Sequence, residues 1–152
     1  MKTRNLQLKQ MDTRMEPLAS VHHMHAPQAG WLRAVRTSLG MSLEQLGRKM
    51  GIAKQSASDI ERREPEGTVT INTLREAAAA MDMELVYGFV PKDGSLEGLV
   101  DRKSEELARK IVGMASQTMK LEDQENSNER IQQSIKERTR EIRQSMPKML
   151  WD

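Results

Sequence analysis

Apolar residues recur three and four positions apart along most of the chain, the spacing of one helix face. Leu8, Met11, Met15 and Leu18 form the first stripe, with Pro17 disfavouring helical geometry at Glu16. Leu32, Val35 and Leu39 form the second, opened by Pro27 and stopped by Gly40. Ser42 followed by Gln45 is a capping box, and Leu43, Leu46 and Met50 run behind it as far as Gly51. A further helix starts after Ala53, with Ile52, Ala57 and Ile60 facing inward. Pro65 and Gly67 break the chain, Thr70 caps, and Leu74, Ala77, Ala78 and Met81 define one more helix. The pattern then changes: Leu85-Val86-Tyr87-Gly88-Phe89-Val90, closed by Pro91, predicts a short strand. A lone strand leaves its backbone groups unpaired, which calls for the same strand of a second subunit or for another segment of this chain.

Beyond Ser95, Leu96, Leu99, Val100, Leu107, Ile111, Met114 and Met119 fit one long helix. Residues 122–129 are polar throughout and read as a linker. The last segment sets Ile131, Ile135 and Ile142 among dense charges and ends in Leu150-Trp151-Asp152. A helix so charged cannot bury enough surface alone to be stable. Its Ile stripe and Trp151 are therefore a candidate partner-binding face. The chain divides on this reading into an N-terminal arm with a short helix (1–26), a helical domain (27–91), a long helix (92–121), and a linker with a C-terminal helix (122–152). The fold class is mainly α with one short β-strand.

Composition narrows the function. The chain has 152 residues, no Cys and four aromatic residues, Trp31, Tyr87, Phe89 and Trp151. Without Cys there is no disulfide framework, thiol nucleophile or Cys-based zinc site. The aromatic residues are too few for the stacking platforms of single-strand binders. No apolar run approaches the roughly 18 residues of a membrane span, and no signal segment opens the chain, so a cytoplasmic protein with no membrane contact is expected. Charge is balanced piece by piece: residues 27–91 hold eight basic and eight acidic side chains, and residues 92–152 twelve of each. Any contact with nucleic acid must use a localised patch. His22-His23-Met24-His25 has ligands for nickel or copper, but no second cluster nearby completes a site, and it reads as a solvent-facing connector with no metal.

Two short helices joined by a tight Gly-containing turn, as around Gly51-Ile52-Ala53, form a helix-turn-helix pattern. The small residues Gly47, Ala53 and Ala57 permit the close crossing. On the second helix, Lys54, Gln55, Ser56, Ser58 and Asp59 occupy the outward positions. Gln can bond adenine in bidentate fashion, Ser either base type, and Lys guanine or phosphate. Gln45 is placed to buttress Gln55 or to bond a phosphate; Arg63 and Thr68 are candidate phosphate anchors. Lys54, Gln55, Ser56 and Ser58 are the candidate base readers, and double-stranded DNA carrying an inverted repeat is the expected partner of a homodimer.

The stretch WLRAVRTSLGMSLEQLGRKMGIAKQSASDIE, Trp31 to Glu61, resembles the Cro/C1-type (XRE) helix-turn-helix of phage repressors. The resemblance implies that Arg36 on the first helix pairs with Glu61 at the end of the recognition helix. Where that family turns at Asn-Gly, this chain has Arg62-Arg63-Glu64-Pro65-Glu66-Gly67. Over most of its length, in GWLRAVRTSLGMSLEQL, GTVTINTLREAAAAMDMELVYGFVP, TMKLEDQ and the final LWD, the chain resembles the mobile mystery protein A family. Members are encoded beside a Fic-domain protein, so the resemblance implies the antitoxin and autoregulator of a Fic-type toxin–antitoxin pair. Inhibitors of Fic enzymes carry Ser/Thr-x-x-x-Glu-Gly/Asn; Thr118 and Glu122 have that spacing, with Asp123 in place of Gly or Asn. The resemblance thereby makes Thr118 and Glu122 the candidate inhibitory pair.

Catalysis is not expected. The three His sit in one run, and no phosphate-binding, zinc-protease or nucleophile-elbow motif is present. No cofactor is implied.

Overall fold

Helices form where the stripes lie, and most end at the residues whose chemistry ends them. The computed structural model describes residues 2–121 and 128–152. It contains α1 (Lys2–Met15), α2 (Trp31–Ser38), α3 (Leu43–Met50), α4 (Lys54–Glu66), α5 (Ile71–Ala80), α6 (Leu96–Leu121) and α7 (Asn128–Ser145). Short 3-10 turns follow α1 at Glu16–Val21 and follow α7 at Lys148–Trp151. The chain divides into two compact units, one of His23–Tyr87 and one of the stretches up to His22 and from Gly88 onward.

In the first unit, α2 to α5 enclose Leu32, Leu46, Ala57, Ala77 and Met81, with Val35, Leu43, Ile52, Ile60 and Leu74 packed around them. The start of α3 is a reciprocal cap: Ser42 Oγ accepts from the Gln45 N–H at 3.0 Å, and Gln45 Oε1 accepts from the Ser42 N–H at 2.8 Å. Gly51 ends α3 in the left-handed region at φ 71°. Gly47 is buried, and a Cβ there would lie 2.8 Å from the Ile52 carbonyl oxygen. The α3–α4 turn thus closes only over glycine, which fixes how tightly α4 can follow α3.

Three local expectations are corrected here. Pro65 does not break the chain: α4 runs through it to Glu66 and stops at Gly67, φ 74°. Proline in a last turn forfeits one backbone bond, and the buried contacts of α4 outweigh that loss. Leu39 was expected on the core face but is 52% exposed, because α2 ends one residue before it. The strand at 85–90 is absent. Among the described residues nothing pairs with this segment, and a strand exists only as a member of a ladder.

The second unit is a helical hairpin of α6 and α7 joined by α1. Its core is Val100, Ala108, Ile135, Ile142, Met146 and Leu150, with Leu8, Leu107, Ile111 and Ile131 packed against it. The Ile stripe is therefore not an exposed partner face: Ile135 and Ile142 are buried and Ile131 half-buried, because α6 supplies the complementary stripe. Trp151 remains 54% exposed, and Met114, expected on the buried stripe, is 68% exposed. The N-terminal stretch is part of this unit. Asp12 on α1 accepts from the backbone N–H groups of Leu96 (2.6 Å) and Glu97 (3.2 Å), capping α6. Arg4 donates to the Met146 carbonyl at 3.1 Å, and Arg143 donates to Asn5 at 3.3 Å and bonds Asp101. Residues 122–127 of the expected linker lie outside the described residues.

Candidate nucleic-acid interface

The outward face of α4 can serve recognition only if its inward face is fixed. Ala57, fully buried, seats the helix in the core. Four residues on, Glu61 is buried and bonds Arg36 of α2 through both carboxylate oxygens, to Nε and to Nη2 at 3.2 Å. Arg36 also donates through Nη1 to the Met41 carbonyl at 2.7 Å, so one guanidinium ties α2, α4 and the loop before α3. With side-chain exposures of 11% and 6%, this is a buried bidentate pair.

A second anchor lies one turn further. The Glu64 carboxylate accepts from the backbone N–H groups of Trp31 (2.7 Å) and Leu32 (2.8 Å), capping α2 from another helix. Negative charge at a helix N-terminus is also favoured by the helix dipole. Gly30 precedes this start at φ 87°, and a Cβ there would come within 3.0 Å of that carboxylate. Sequence reasoning missed Glu64. Its signal was present: an acid three residues after Glu61 lies on the same face of α4, and Gly30 marks a backbone that must pass close to something.

The opposite face is open. Lys54, Gln55, Ser56 and Ser58 are all exposed in the first two turns and make no side-chain hydrogen bond among the described residues. Gln55, Ser56, Asp59 and Arg63 share one wall of an open groove of about 560 Å³, with Val69, Thr70 and Thr73 opposite. Asp59, which the sequence reading left among the outward positions without a role, sits between arginines: Arg62 at 2.5 Å and Arg63 at 3.5 Å. The Arg62 hydrogen bond, reinforced by the charge of both arginines, holds the Asp59 carboxyl below its ordinary pKa.

The candidate phosphate anchors fall in two places. Arg63 and Thr68 bond each other, Nε to Oγ1 at 3.3 Å and Nη2 to the Thr68 carbonyl, closing the C-terminal end of α4. Gln45 is exposed at the start of α3. Its oxygen is committed to the Ser42 cap and its amide nitrogen has no partner among the described residues. No Gln45–Gln55 hydrogen bond joins them. Thr118 belongs to the end of α6 and Glu122 lies outside the described residues, so the candidate inhibitory pair has no structural account. Among the described residues no three His, Asp or Glu side chains come together to hold a metal, and no helix is long and apolar enough to cross a membrane.

Residues 32–87 match the family model HTH_3, described as helix-turn-helix. The chain carries a Cro/C1-type helix-turn-helix domain. The matched stretch ends at Tyr87, the last residue of the first compact unit. In helix-turn-helix terms α3 is the positioning helix and α4 the recognition helix. The recognition helix is long here, because five of the six residues that replace the usual Asn-Gly turn, Arg62 to Glu66, continue α4 before Gly67 ends it. No curated protein and no solved structure matches the chain.

Proposed function

We propose that this chain is a sequence-specific transcriptional regulator that binds an inverted repeat in double-stranded DNA as a homodimer. The observation that carries the reading is the two-faced recognition helix. Glu61 and Glu64 tie α4 to α2, while Lys54, Gln55, Ser56 and Ser58 stand exposed at its N-terminal end without a side-chain hydrogen bond among the described residues. Two such helices reach successive major grooves about 34–36 Å apart. Gln55 reads a base through its amide, Lys54, Ser56 and Ser58 support it, and the Gln45 amide nitrogen donates to phosphate. Arg63 and Thr68 exchange part of their mutual contact for a phosphate oxygen.

The finer reading is that the regulator is the antitoxin of a Fic-domain partner and represses its own operator. Its support is the sequence resemblance. The unit of α1, α6 and α7 is the part left for that partner, with Trp151 exposed there and the Ile stripe already used internally. The protein acts by binding in the cytoplasm and not by catalysis, in keeping with a sequence that has no nucleophile or metal motif.

Selection of duplexes from a random pool, followed by footprinting and a salt titration, tests the first reading. An inverted repeat protected in two patches, with affinity falling steeply in salt, is expected. Failure to enrich any duplex overturns it. Co-expression with a Fic-domain protein, the neighbour that the resemblance implies, tests the second: a complex that rescues growth supports it, and no rescue leaves a regulator alone.

A further inference from the structure

A carboxylate stands on the outward side of α4, where a helix that meets phosphates gains nothing from negative charge. Asp59 has a side chain 46% exposed and lines the same groove wall as Gln55 and Ser56. It follows them by four and three residues, the spacing of one helix face. Two arginines answer its charge. Arg62 Nη2 donates to Oδ1 at 2.5 Å, and Arg63 Nη1 lies 3.5 Å from Oδ2. Arg62 is held from its other side by Glu66 at 3.4 Å, so the carboxylate is fixed in orientation as well as neutralised. The Arg62 hydrogen bond and the charge of both arginines keep the group ionised. An ionised carboxylate can only accept, and its two oxygens offer about four lone-pair sites. A single hydrogen bond to Oδ1 leaves lone pairs open on both oxygens.

An obligate acceptor in the major groove sorts bases by what they present there. Guanine shows N7 and O6 and thymine shows O4, all acceptors that repel a carboxylate. Adenine sets its N7 acceptor beside its amino donor. Cytosine shows the N4 amino group and no acceptor of its own. We infer that Asp59 is a specificity-determining residue of the recognition helix, its carboxylate accepting from N4 of a cytosine in each half-site while Arg62 and Arg63 hold it in place. The inference rests on the DNA-binding reading above and adds a base which that reading does not name. Four residues of α4 rise about 6 Å. At roughly 3.4 Å per base pair, the cytosine lies within about two pairs of the one that Gln55 reads.

The test uses the full chain and Asp59→Ala, whose helical circular dichroism confirms folding. The duplex selected by the wild-type chain is rebuilt with each of the four bases at every position of a half-site. Each protein is compared with itself across these duplexes, so any general gain from freed arginines cancels. The wild type should prefer cytosine over guanine or thymine about tenfold at one pair, and Asp59→Ala should lose that preference at that pair alone. A second probe removes only the donor: pyrimidin-2-one in place of that cytosine lacks the 4-amino group. It should weaken the wild type about tenfold and leave Asp59→Ala nearly unaffected. A cytosine preference that survives in Asp59→Ala overturns the inference. So does an equal loss on all four bases, or an equal loss from pyrimidin-2-one in both proteins. A selected duplex with no such cytosine overturns it and leaves the DNA-binding reading standing. Enrichment of no duplex overturns that reading, and this inference with it.

Discussion

The two compact units are held together over very different sequence distances. In the helix-turn-helix unit the polar ties span 25 residues from Arg36 to Glu61 and 33 from Trp31 to Glu64. In the other unit, Arg4 reaches Met146 and Arg143 reaches Asn5 across 142 and 138 residues, and Asp12 caps α6 across 84. The first unit is closed by neighbours along the chain; the second brings the chain's two ends together. Loop closure is less costly for near neighbours, so the first should form ahead of the second during folding. The difference also separates what a sequence pattern discloses from what it conceals.

The sharpest way to break the first unit is to strand a buried charge. Glu61→Ala leaves Arg36 unpaired at 11% exposure and should cost about 3–5 kcal/mol. Urea unfolding followed by Trp31 fluorescence in a Trp151→Phe background measures it, since Trp31 lies in this unit beside the Glu64 cap and Trp151 lies in the other. Replacing both partners together, Arg36→Met with Glu61→Leu, should recover most of that loss. A double variant as unstable as the single would mean that the pair does more than neutralise itself.

The second unit should yield to a packing defect instead. Ile142→Ala empties a site that is 5% exposed in the α6–α7 core and should cost about 2–5 kcal/mol. Thermal unfolding of the variant measures that cost, and DNA affinity at 20 °C should be unchanged. An Ile142→Ala chain of wild-type stability would return this residue to the exposed, partner-facing role that its sequence setting suggested.

That setting shows where legibility ends. The capping box at Ser42, the glycine at position 47 and the inward Ala57 were readable because each acts on residues within one or two turns. The Arg36–Glu61 pair was available only through family resemblance. The burial of Ile135 and Ile142 was not readable, because it depends on a stripe of α6 some 30 residues away and on α1 at the other end of the chain. The strand at 85–90 failed for a related reason: composition reports a preference for pairing and says nothing about where the pair is. Glu64 was missed because its spacing from Glu61 places it on the inward face of α4 but does not name its partners, two backbone N–H groups of α2 that lie 33 and 32 residues away.

On the recognition face, Gln55→Ala should weaken binding to the selected duplex by roughly 1–3 kcal/mol and relax preference at one base pair. Stability should stay unchanged, because Gln55 is exposed and bonds nothing in the free domain. Comparison of binding to all four bases at that position decides it. An equal loss on every base would make Gln55 a phosphate contact.

Asp12→Ala should cost less, about 0.5–2 kcal/mol, by removing the cap from α6. Its value lies in where the loss appears. If α1 closes the second unit, amide exchange should quicken in α1 and at the start of α6, with the α2–α5 amides untouched.

The smallest effect is in acid, and its sign follows from Asp93. Arg102 donates to this carboxylate at 2.7 and 3.0 Å and holds its pKa below the ordinary 3.8. A depressed carboxylate contributes stability above its unfolded pKa and loses it as pH falls through the lower, folded value. The Asp93–Arg102 tie should therefore be intact at pH 5 and lost in strong acid. The pair is exposed, so salt screens it and the contribution is slight. Asp93→Asn should lower the melting temperature of the second unit slightly at pH 5 and leave a shallower decline toward acid. Asp59 responds differently because its arginines lie on its own helix, where a lost i,i+3 bond costs little order. Asp59→Asn should alter the melting of the first unit less than Asp93→Asn alters that of the second. Equal responses would show that the exposed ion pairs do not follow the division between a locally closed unit and one closed through its ends.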